Sequence, residues 1–407
     1  MKPLRSVVVF HIGGVSGPQR SLGDTTRWLQ DRGSVEVIVP ELGPTADEYS
    51  LFGPVEVRDY AALTYPHGRG ALAKGIFRIA RETRMFRREW RRRRPDAVLV
   101  VTTVVPAALL AARLERIPTV VYAAEIYEQW KRAPLLRVWA ALLVRGTSVL
   151  SDGVVCCSTA VASQFPPRRR KPLAIAYPPV GPEYGEGDRA RGRARFALAD
   201  EDICLTVVGS ISRGRGQDVA LRALARVRQR FPAARLLVVG SPHPRRVDLE
   251  FAEELRALAD QLSVSDAIVF AGTVVSTDGD AAMADVYAAS DVVINPARFA
   301  ESFGRVVPEA LIAGRPVVAS RIGSIPDVIR DGVDGLLVPP DAADALAAGI
   351  VRLLEDPAFA SAMVESGQRR VRDEFGHDQD REAWRQVFES VLSGRPELAV
   401  WSRAPNG

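Results

Sequence analysis

Glu301 and Glu309 lie in the run Glu301-Ser302-Phe303-Gly304-Arg305-Val306-Val307-Pro308-Glu309-Ala310, which follows an apolar strand ending at Asn295. Pro308 suits the first turn of a helix, where a missing N–H costs nothing, and Gly314 suits the stop. Glu301 is therefore expected on the loop before the helix and Glu309 in its first turn. The amides from Phe303 to Val307 are expected to be unpaired at that helix start, giving an anion site made of backbone and dipole. Two carboxylates bracketing a phosphate cradle suit a sugar nucleotide, since each can accept bonds from hydroxyls at one end of the ligand. A glutamate is also favoured at a helix N-terminus without any ligand. That accounts for Glu309 and leaves Glu301 unexplained.

A second phosphate device follows the apolar run Ile203–Val208. It reads Gly209-Ser210-Ile211-Ser212-Arg213-Gly214-Arg215-Gly216 and opens a helix near Gln217. Small residues with a cation at a strand-to-helix turn are suited to a diphosphate, although an ordinary turn with a solvated arginine has the same composition. It is not the dinucleotide fingerprint, because no third glycine stands at Val219. Asp278-Gly279-Asp280 has the spacing of a metal-binding pair, yet before a helix near Ala281–Ala289 an N-cap is its plainer role.

The elements that must hold these residues alternate strand and helix. Apolar runs at Ser6–Phe10, Val35–Val39, Ala97–Val101, Thr119–Tyr122 and Gly153–Cys156 fill the first half. Ile203–Val208, Leu236–Val239, Ile268–Phe270, Val292–Ile294, Pro316–Ala319 and Gly335–Val338 fill the second. Runs apolar on both faces and separated by helices indicate parallel sheets covered on both sides. The stiff stretch Tyr177-Pro178-Pro179-Val180-Gly181-Pro182 separates the halves. The expectation is an α/β chain of two doubly wound domains, residues 1–180 and 181–377, with a C-terminal helix near 378–400 returning to the first. Each domain should carry a ligand crevice at the carboxyl ends of its strands. In the C-terminal segment Trp384, Val387 and Phe388 share one helical face.

With 47% hydrophobic and 25% charged residues over 407 positions, the chain has the balance of a globular protein, not of a disordered or fibrous one. Its three cysteines, Cys156, Cys157 and Cys204, make neither a disulfide framework nor a metal-ligand pattern, which suits a reducing, cytoplasmic compartment. The longest apolar run, Ala97–Ala112, is broken by Pro106 and is shorter than a membrane span. The net charge of +5 divides unevenly: residues 1–180 carry 27 basic and 15 acidic side chains, the remainder 27 and 34. A basic half suggests an anionic partner. Within it, Ile76, Ile79, Thr83, Phe86 and Trp90 recur at helical spacing among arginines and lead to Arg91-Arg92-Arg93-Arg94. This reads either as a helix covering the sheet or as a peripheral contact with an anionic membrane surface. No nucleic-acid-binding motif accompanies the charge.

The chain resembles the retaining glycosyltransferases of family 4, which have the GT-B fold of two Rossmann-like domains facing a cleft. The resemblance is strongest from Gly209 to Pro339. It is carried by Glu301 and Glu309 in their shared run, by Ala313-Gly314-Arg315-Pro316-Val317-Val318-Ala319, and by Asp331-Gly332-Val333-Asp334-Gly335-Leu336-Leu337-Val338. It implies that Glu301 touches a donor-sugar hydroxyl near the reacting carbon, that the amides of Phe303, Gly304, Arg305 and Val306 hold the diphosphate, and that Glu309 binds the ribose. Arg215 stands where the family has a lysine, which keeps the charge and changes its geometry. Ser210 stands where an arginine is common, with Arg213 as a substitute cation. Gly209 opens that turn, Gly272 and Thr273 fall where the family contacts the base, and Gly13 and Gly14 match its first glycine loop. Many members have a His-Asp pair where this chain reads Ala123-Ala124-Glu125-Ile126, so Glu125 is expected to carry the acidic role alone. His11, beside the glycine loop, is the histidine placed where it could face the ligand, although a satisfied or solvent-facing role is the plainer one for it. The implied chemistry is metal-free, cofactor-free transfer from a UDP-, GDP- or ADP-linked sugar to a hydroxyl acceptor, a lipid-linked one included. A nucleotide-sugar epimerase or phosphorylase, a dinucleotide-dependent oxidoreductase and a non-catalytic nucleotide-sugar binder remain as alternatives.

Overall fold

The computed structural model describes residues 3–14, 17–63, 71–127, 134–166, 171–274 and 281–394. The chain divides into two compact units, Met1–Pro179 with His377–Gly407, and Val180–Gly376. Asp278-Gly279-Asp280 lie outside the described residues.

The first unit is built on seven parallel strands: β1 (Leu4–Val9), β2 (Gly33–Val39), β3 (Val55–Val57), β4 (Ala97–Val101), β5 (Thr119–Ala123), β6 (Gly153–Cys156) and β7 (Leu173–Ile175). Their order is β3-β2-β1-β4-β5-β6-β7. The valine-rich central strands are apolar on both faces because both faces are covered; every residue of β4, β5 and β6 is buried. The chain steps from β1 to β3 in one direction and from β4 to β7 in the other. Right-handed crossovers therefore put the two sets of connecting helices on opposite faces. Helices Ala71–Arg93, Pro106–Glu115 and Pro134–Leu150 pack side by side on one face, and His377–Ser393 lies against β5, β6, β7 and the helix Gly23–Arg32. Trp384, Val387 and Phe388 are all buried, with the Trp384 ring 5.4 Å from that of Tyr122 and the Phe388 ring 5.6 Å from that of Trp28.

Between β1 and β2 the chain forms two helices, Gly17–Arg20 and Gly23–Arg32, separated by a turn at Leu22, whose carbonyl accepts the Thr26 amide and hydroxyl. The arginine run is not a free basic patch. Arg91 pairs with Glu115, Arg92 with Glu56 and Glu89, and the largely buried Arg93 with Glu36, Glu56 and Glu89.

The second unit holds six parallel strands: β8 (Ile203–Val208), β9 (Ala234–Val239), β10 (Ile268–Gly272), β11 (Val292–Asn295), β12 (Val317–Ser320) and β13 (Leu336–Val338). Their order is β10-β9-β8-β11-β12-β13, so the direction of winding reverses between β8 and β11. Leu205, Val207, Leu236, Val238, Val292 and Ile294 from the sheet meet Leu221, Leu224 and Ile350 from the helices in one core. In such sheets ligands bind outside the carboxyl ends of the strands at the reversal. The turn after β8 and the loop after β11, which carry the singled-out residues, sit at that place.

Candidate functional site

Glycines set the shape of the turn after β8. Gly216 has φ +71°, and a Cβ there would lie 2.0 Å from the Pro296 carbonyl oxygen. Gly214 accepts the amides of Arg298 and Phe299, and a side chain on it would strike the Phe299 ring. Arg298 clamps the same pair of loops by bonding both oxygens of Asp218, at 2.8 and 2.7 Å, together with Asp341. The two loops at the reversal are thus stapled together by backbone and by one arginine.

Across this staple Arg215 donates to Glu301 Oε1. The guanidinium is about two-fifths exposed and the Glu301 side chain nearly buried. Glu301 is held through its backbone as well: its carbonyl accepts the Ser324 amide and hydroxyl, both at 3.1 Å. Gly323, with φ +59°, lets the next segment approach to within contact of the Glu301 backbone. Gly304, with φ +73°, sits where a Cβ would be 2.8 Å from Glu301 Oε2 and 2.4 Å from Ile325 Cδ1. The Glu301 carboxylate is therefore fixed by the loop around it, with a cation at its tip.

The helix after this loop runs Val306–Ile312, and Gly314, with φ +71°, follows its end. The expectation of five unpaired amides needs a correction: the Val307 amide donates to the Gly304 carbonyl at 3.0 Å, tightening the first turn. The amides of Gly304 and Val306 find no acceptor among the described residues. Glu309 is buried and already engaged, since Tyr287 OH donates to Oε2 at 2.7 Å and Arg305 Nε to Oε1 at 3.0 Å. A carboxylate oxygen can accept more than one bond. Burial beside the Glu309 carboxylate pushes the Tyr287 phenol well up, so it remains a donor. The Phe303 ring packs on Phe375 at 5.9 Å, which leaves its backbone as the part a ligand could use.

The remaining singled-out positions of this unit lie along the same strand ends. Gly209 has φ +142°, a Cβ on it would lie 3.5 Å from the Arg215 side chain, and its amide donates to the Val239 carbonyl at 2.8 Å. Ser210 O accepts Gln217 Nε2 at 3.0 Å. Gly272, with φ +66°, accepts the Gly240 amide, and Thr273 Oγ1 donates to Ser241 Oγ at 2.9 Å. Arg213 turns away from Arg215: it binds both oxygens of Glu254, at 2.6 and 2.7 Å, and lies over the Phe251 ring. It is not brought to the Glu301 carboxylate.

In the first unit the winding reverses between β1 and β4. Glu125, just past β5, reaches back to the turn after β4. Its Oε2 accepts the Thr103 amide at 3.3 Å, the Thr103 hydroxyl at 3.2 Å and the Ala124 amide at 3.2 Å. Desolvation raises its pKa against those bonds. Tyr127 OH bonds Thr103, and Gln164 bridges the Tyr127 amide and the Glu125 carbonyl. Thr102 precedes this cluster with φ +77°, a strained value for a β-branched residue. His11 is lowered to about 4 by burial, so its ring is neutral at pH 7. Gly13 and Gly14 make their close approach to protein: a Gly13 Cβ would be 2.6 Å from Glu41 O, and their carbonyls accept the Thr45 amide and hydroxyl. The sequence did not single out Tyr287, Gln164, Tyr127 or Thr103; no motif marks them, because each acts on a residue distant in the chain.

Two family models match the chain: Glycosyltransferase Family 4 over residues 15–184, and Glycosyl transferases group 1 over residues 203–356. The chain belongs to glycosyltransferase family 4. It is similar to the D-inositol 3-phosphate glycosyltransferase of Actinosynnema mirum, 33% identical over 229 residues that make up 54% of this chain and 51% of that protein. It is similar also to that of Mycobacterium marinum, 35% identical over 195 residues, 48% of this chain and 40% of that protein. The chain thus spans about half the length of the curated relatives it matches. Among solved structures, HepE of Anabaena in complex with UDP and glucose superposes with a TM-score of 0.77 at 20% identity, over 95% of this chain and all of that one. Sucrose-phosphate synthase of Thermosynechococcus elongatus gives 0.75 at 20% identity, over 96% and 100%. The fold of this family 4 chain is GT-B, two Rossmann-like domains. Among the described residues no helix is long and apolar enough to cross a membrane, and no three His, Cys, Asp or Glu side chains cluster as metal ligands would.

Proposed function

We propose that this chain transfers a sugar from a nucleoside diphosphate donor to a hydroxyl acceptor, with retention at the anomeric carbon. The observation that carries the reading is the Arg215–Glu301 ion pair at the winding reversal of the second unit, with the engaged Glu309 eight positions on, in the first turn of the following helix. In the free protein each charge of that pair satisfies the other. A bound donor would give Arg215 its diphosphate and Glu301 a sugar hydroxyl, so the site trades one set of charge-assisted bonds for another. Glu309, held by Tyr287 and Arg305, accepts from the ribose diol. In the transfer the acceptor oxygen bonds the anomeric carbon as the carbon–phosphate oxygen bond breaks on the same face, and the leaving diphosphate takes the acceptor proton. Arg215 and the helix-start amides stabilise the charge that builds on that diphosphate, so most of the catalysis is electrostatic. Glu125, with one oxygen taken up by Thr103 and Ala124, offers the other to a substrate hydroxyl.

A UDP-sugar is the first donor to try, since HepE of the same fold holds UDP and glucose. D-Inositol 3-phosphate is the first acceptor to try, since the curated relatives are named for it. The test is turnover of Arg215→Ala and Glu301→Ala against the parent. Loss of about a hundredfold or more in kcat supports the assignment, and near-normal turnover and donor affinity in both variants refutes it. The reading also places no metal in the reaction, with Arg215 as the cation at the diphosphate. Turnover unchanged by EDTA agrees with this, and loss restored by a divalent cation contradicts it.

A further inference from the structure

Helices Ala71–Arg93, Pro106–Glu115 and Pro134–Leu150, which form one layer on the first unit's sheet, carry 12 basic and three acidic residues between them. The three acids are not free: Glu82 pairs with Arg78, Glu89 with Arg58, Arg92 and Arg93, and Glu115 with Arg87 and Arg91. Arg84, Arg88, Arg113, Arg137 and Arg145 are exposed and have no carboxylate partner among the described residues. Six apolar side chains of the same layer, Ile76, Phe77, Leu114, Val138, Leu142 and Val149, are each more than half exposed.

The two kinds of residue share stripes. On Pro134–Leu150, a helix with no acidic residue, Val138, Leu142, Arg145 and Val149 fall at intervals of four, three and four and line one face. On Ala71–Arg93, Phe77, Arg84 and Arg88 fall at intervals of seven and four and do the same. Trp139, Leu143 and Val144 point the other way, into the unit. Single exposed apolar side chains are ordinary on a soluble surface, but here they recur along helix faces interleaved with unpaired cations, which gives those faces a partner chemistry. We propose that the outer face of this three-helix layer lies on an anionic lipid bilayer, with Phe77, Leu142 and their neighbours entering the acyl boundary and the arginines meeting headgroup phosphates. The argument is charge complementarity. A protein partner of this face would need a matching carboxylate for each of five arginines, whereas an anionic headgroup layer supplies them everywhere. The long arginine stems let the guanidinium stay at phosphate level while the apolar groups go deeper. The contact is at a surface, since the three helices remain packed on the sheet. The inference uses none of the donor-site residues and stands whether or not the donor reading holds.

The test is co-sedimentation of the full chain with vesicles of phosphatidylglycerol and phosphatidylcholine in equal parts, against vesicles of phosphatidylcholine alone. The protein is expected to bind the first and not the second. Raising the salt from about 0.1 to about 1 M, where the screening length falls from about 10 to about 3 Å, should release it. The double variants F77S/L142S and R88E/R145E are each expected to lower the bound fraction about tenfold or more with Tm unchanged. Absence of binding to the anionic vesicles, equal binding to the neutral ones, or either well-folded variant binding as the parent does would overturn the proposal. So would a lipid-free dimer that both variants dissociate, because the face would then belong to a second copy of the chain.

Discussion

Glu301 and Arg215 meet although 86 positions separate them, and what fixes the meeting is the room left by glycines. Gly304→Ala tests this. The substitution puts a methyl group into left-handed backbone, at a cost of about 1–2 kcal/mol, and drives it against Glu301 Oε2 and Ile325. The expected outcome is a modest fall in Tm and a large fall in kcat, read by melting and by initial rates; a methyl group accommodated without loss of rate would show that the carboxylate position is unimportant. Tyr287→Phe is the complementary change. It leaves the buried Glu309 carboxylate with one donor fewer, a loss of about 1–3 kcal/mol, and should weaken donor binding more than it slows the bound complex, so KM rises more than kcat falls. Both glutamates and the arginine were legible in the sequence because residue type and strand-to-helix position carry them. Tyr287 was not, for nothing in its surroundings within the chain says that its hydroxyl ends on Glu309. The same holds for Thr103 and Tyr127 around Glu125.

Parallel strands buried on both faces left continuous apolar runs, and so β4, β6 and β8 were legible to the residue. β3 and β7 were not, since both are three-residue strands at the edges of the first sheet and β3 carries Glu56 in its centre. The helix His377–Ser393 showed its buried face through Trp384, Val387 and Phe388, but the spacing concealed a charge problem. Asp380 is buried, its Oδ1 accepts Trp384 Nε1 at 3.1 Å, and its Oδ2 has no partner among the described residues. Burial, with Asp24 nearby, holds its pKa well above the usual carboxylate range. The folded state therefore keeps a proton that the unfolded chain releases once the pH passes the ordinary carboxylate value. Stability from this group is complete below that value and falls as the pH rises toward the folded pKa. Asp380→Asn keeps the acceptor for Trp384 and removes the titration. Its Tm relative to the parent should be higher at pH 8 than at pH 5, and an equal difference at the two pH values would contradict the assignment.

At the scale of the whole molecule, a single sheet plan is used twice, and in each unit the chemistry-bearing side chains gather where the winding reverses. The first unit adds a basic, partly apolar helix layer that the arginine run only partly announced, because most of that run is spent on Glu36, Glu56, Glu89 and Glu115. Cys156, Cys157 and Cys204 form no disulfide and are buried, and burial pushes the Cys204 thiol up to about 11. A thiol reagent at pH 8 should therefore label none of them until the chain unfolds, and rapid labelling of the native protein would contradict the packing. The measurement that bears most directly on the central claim is the melting temperature with and without nucleotide sugars, for the parent and for Arg215→Ala and Glu309→Ala. At about a hundred times Kd a donor adds about 2.7 kcal/mol of stability, which for a unit of this size is a rise of about 5–10 °C. The account predicts that one nucleoside diphosphate sugar gives this rise with the parent and little or none with either variant. A rise that survives both substitutions would place the donor somewhere other than the reversal between β8 and β11.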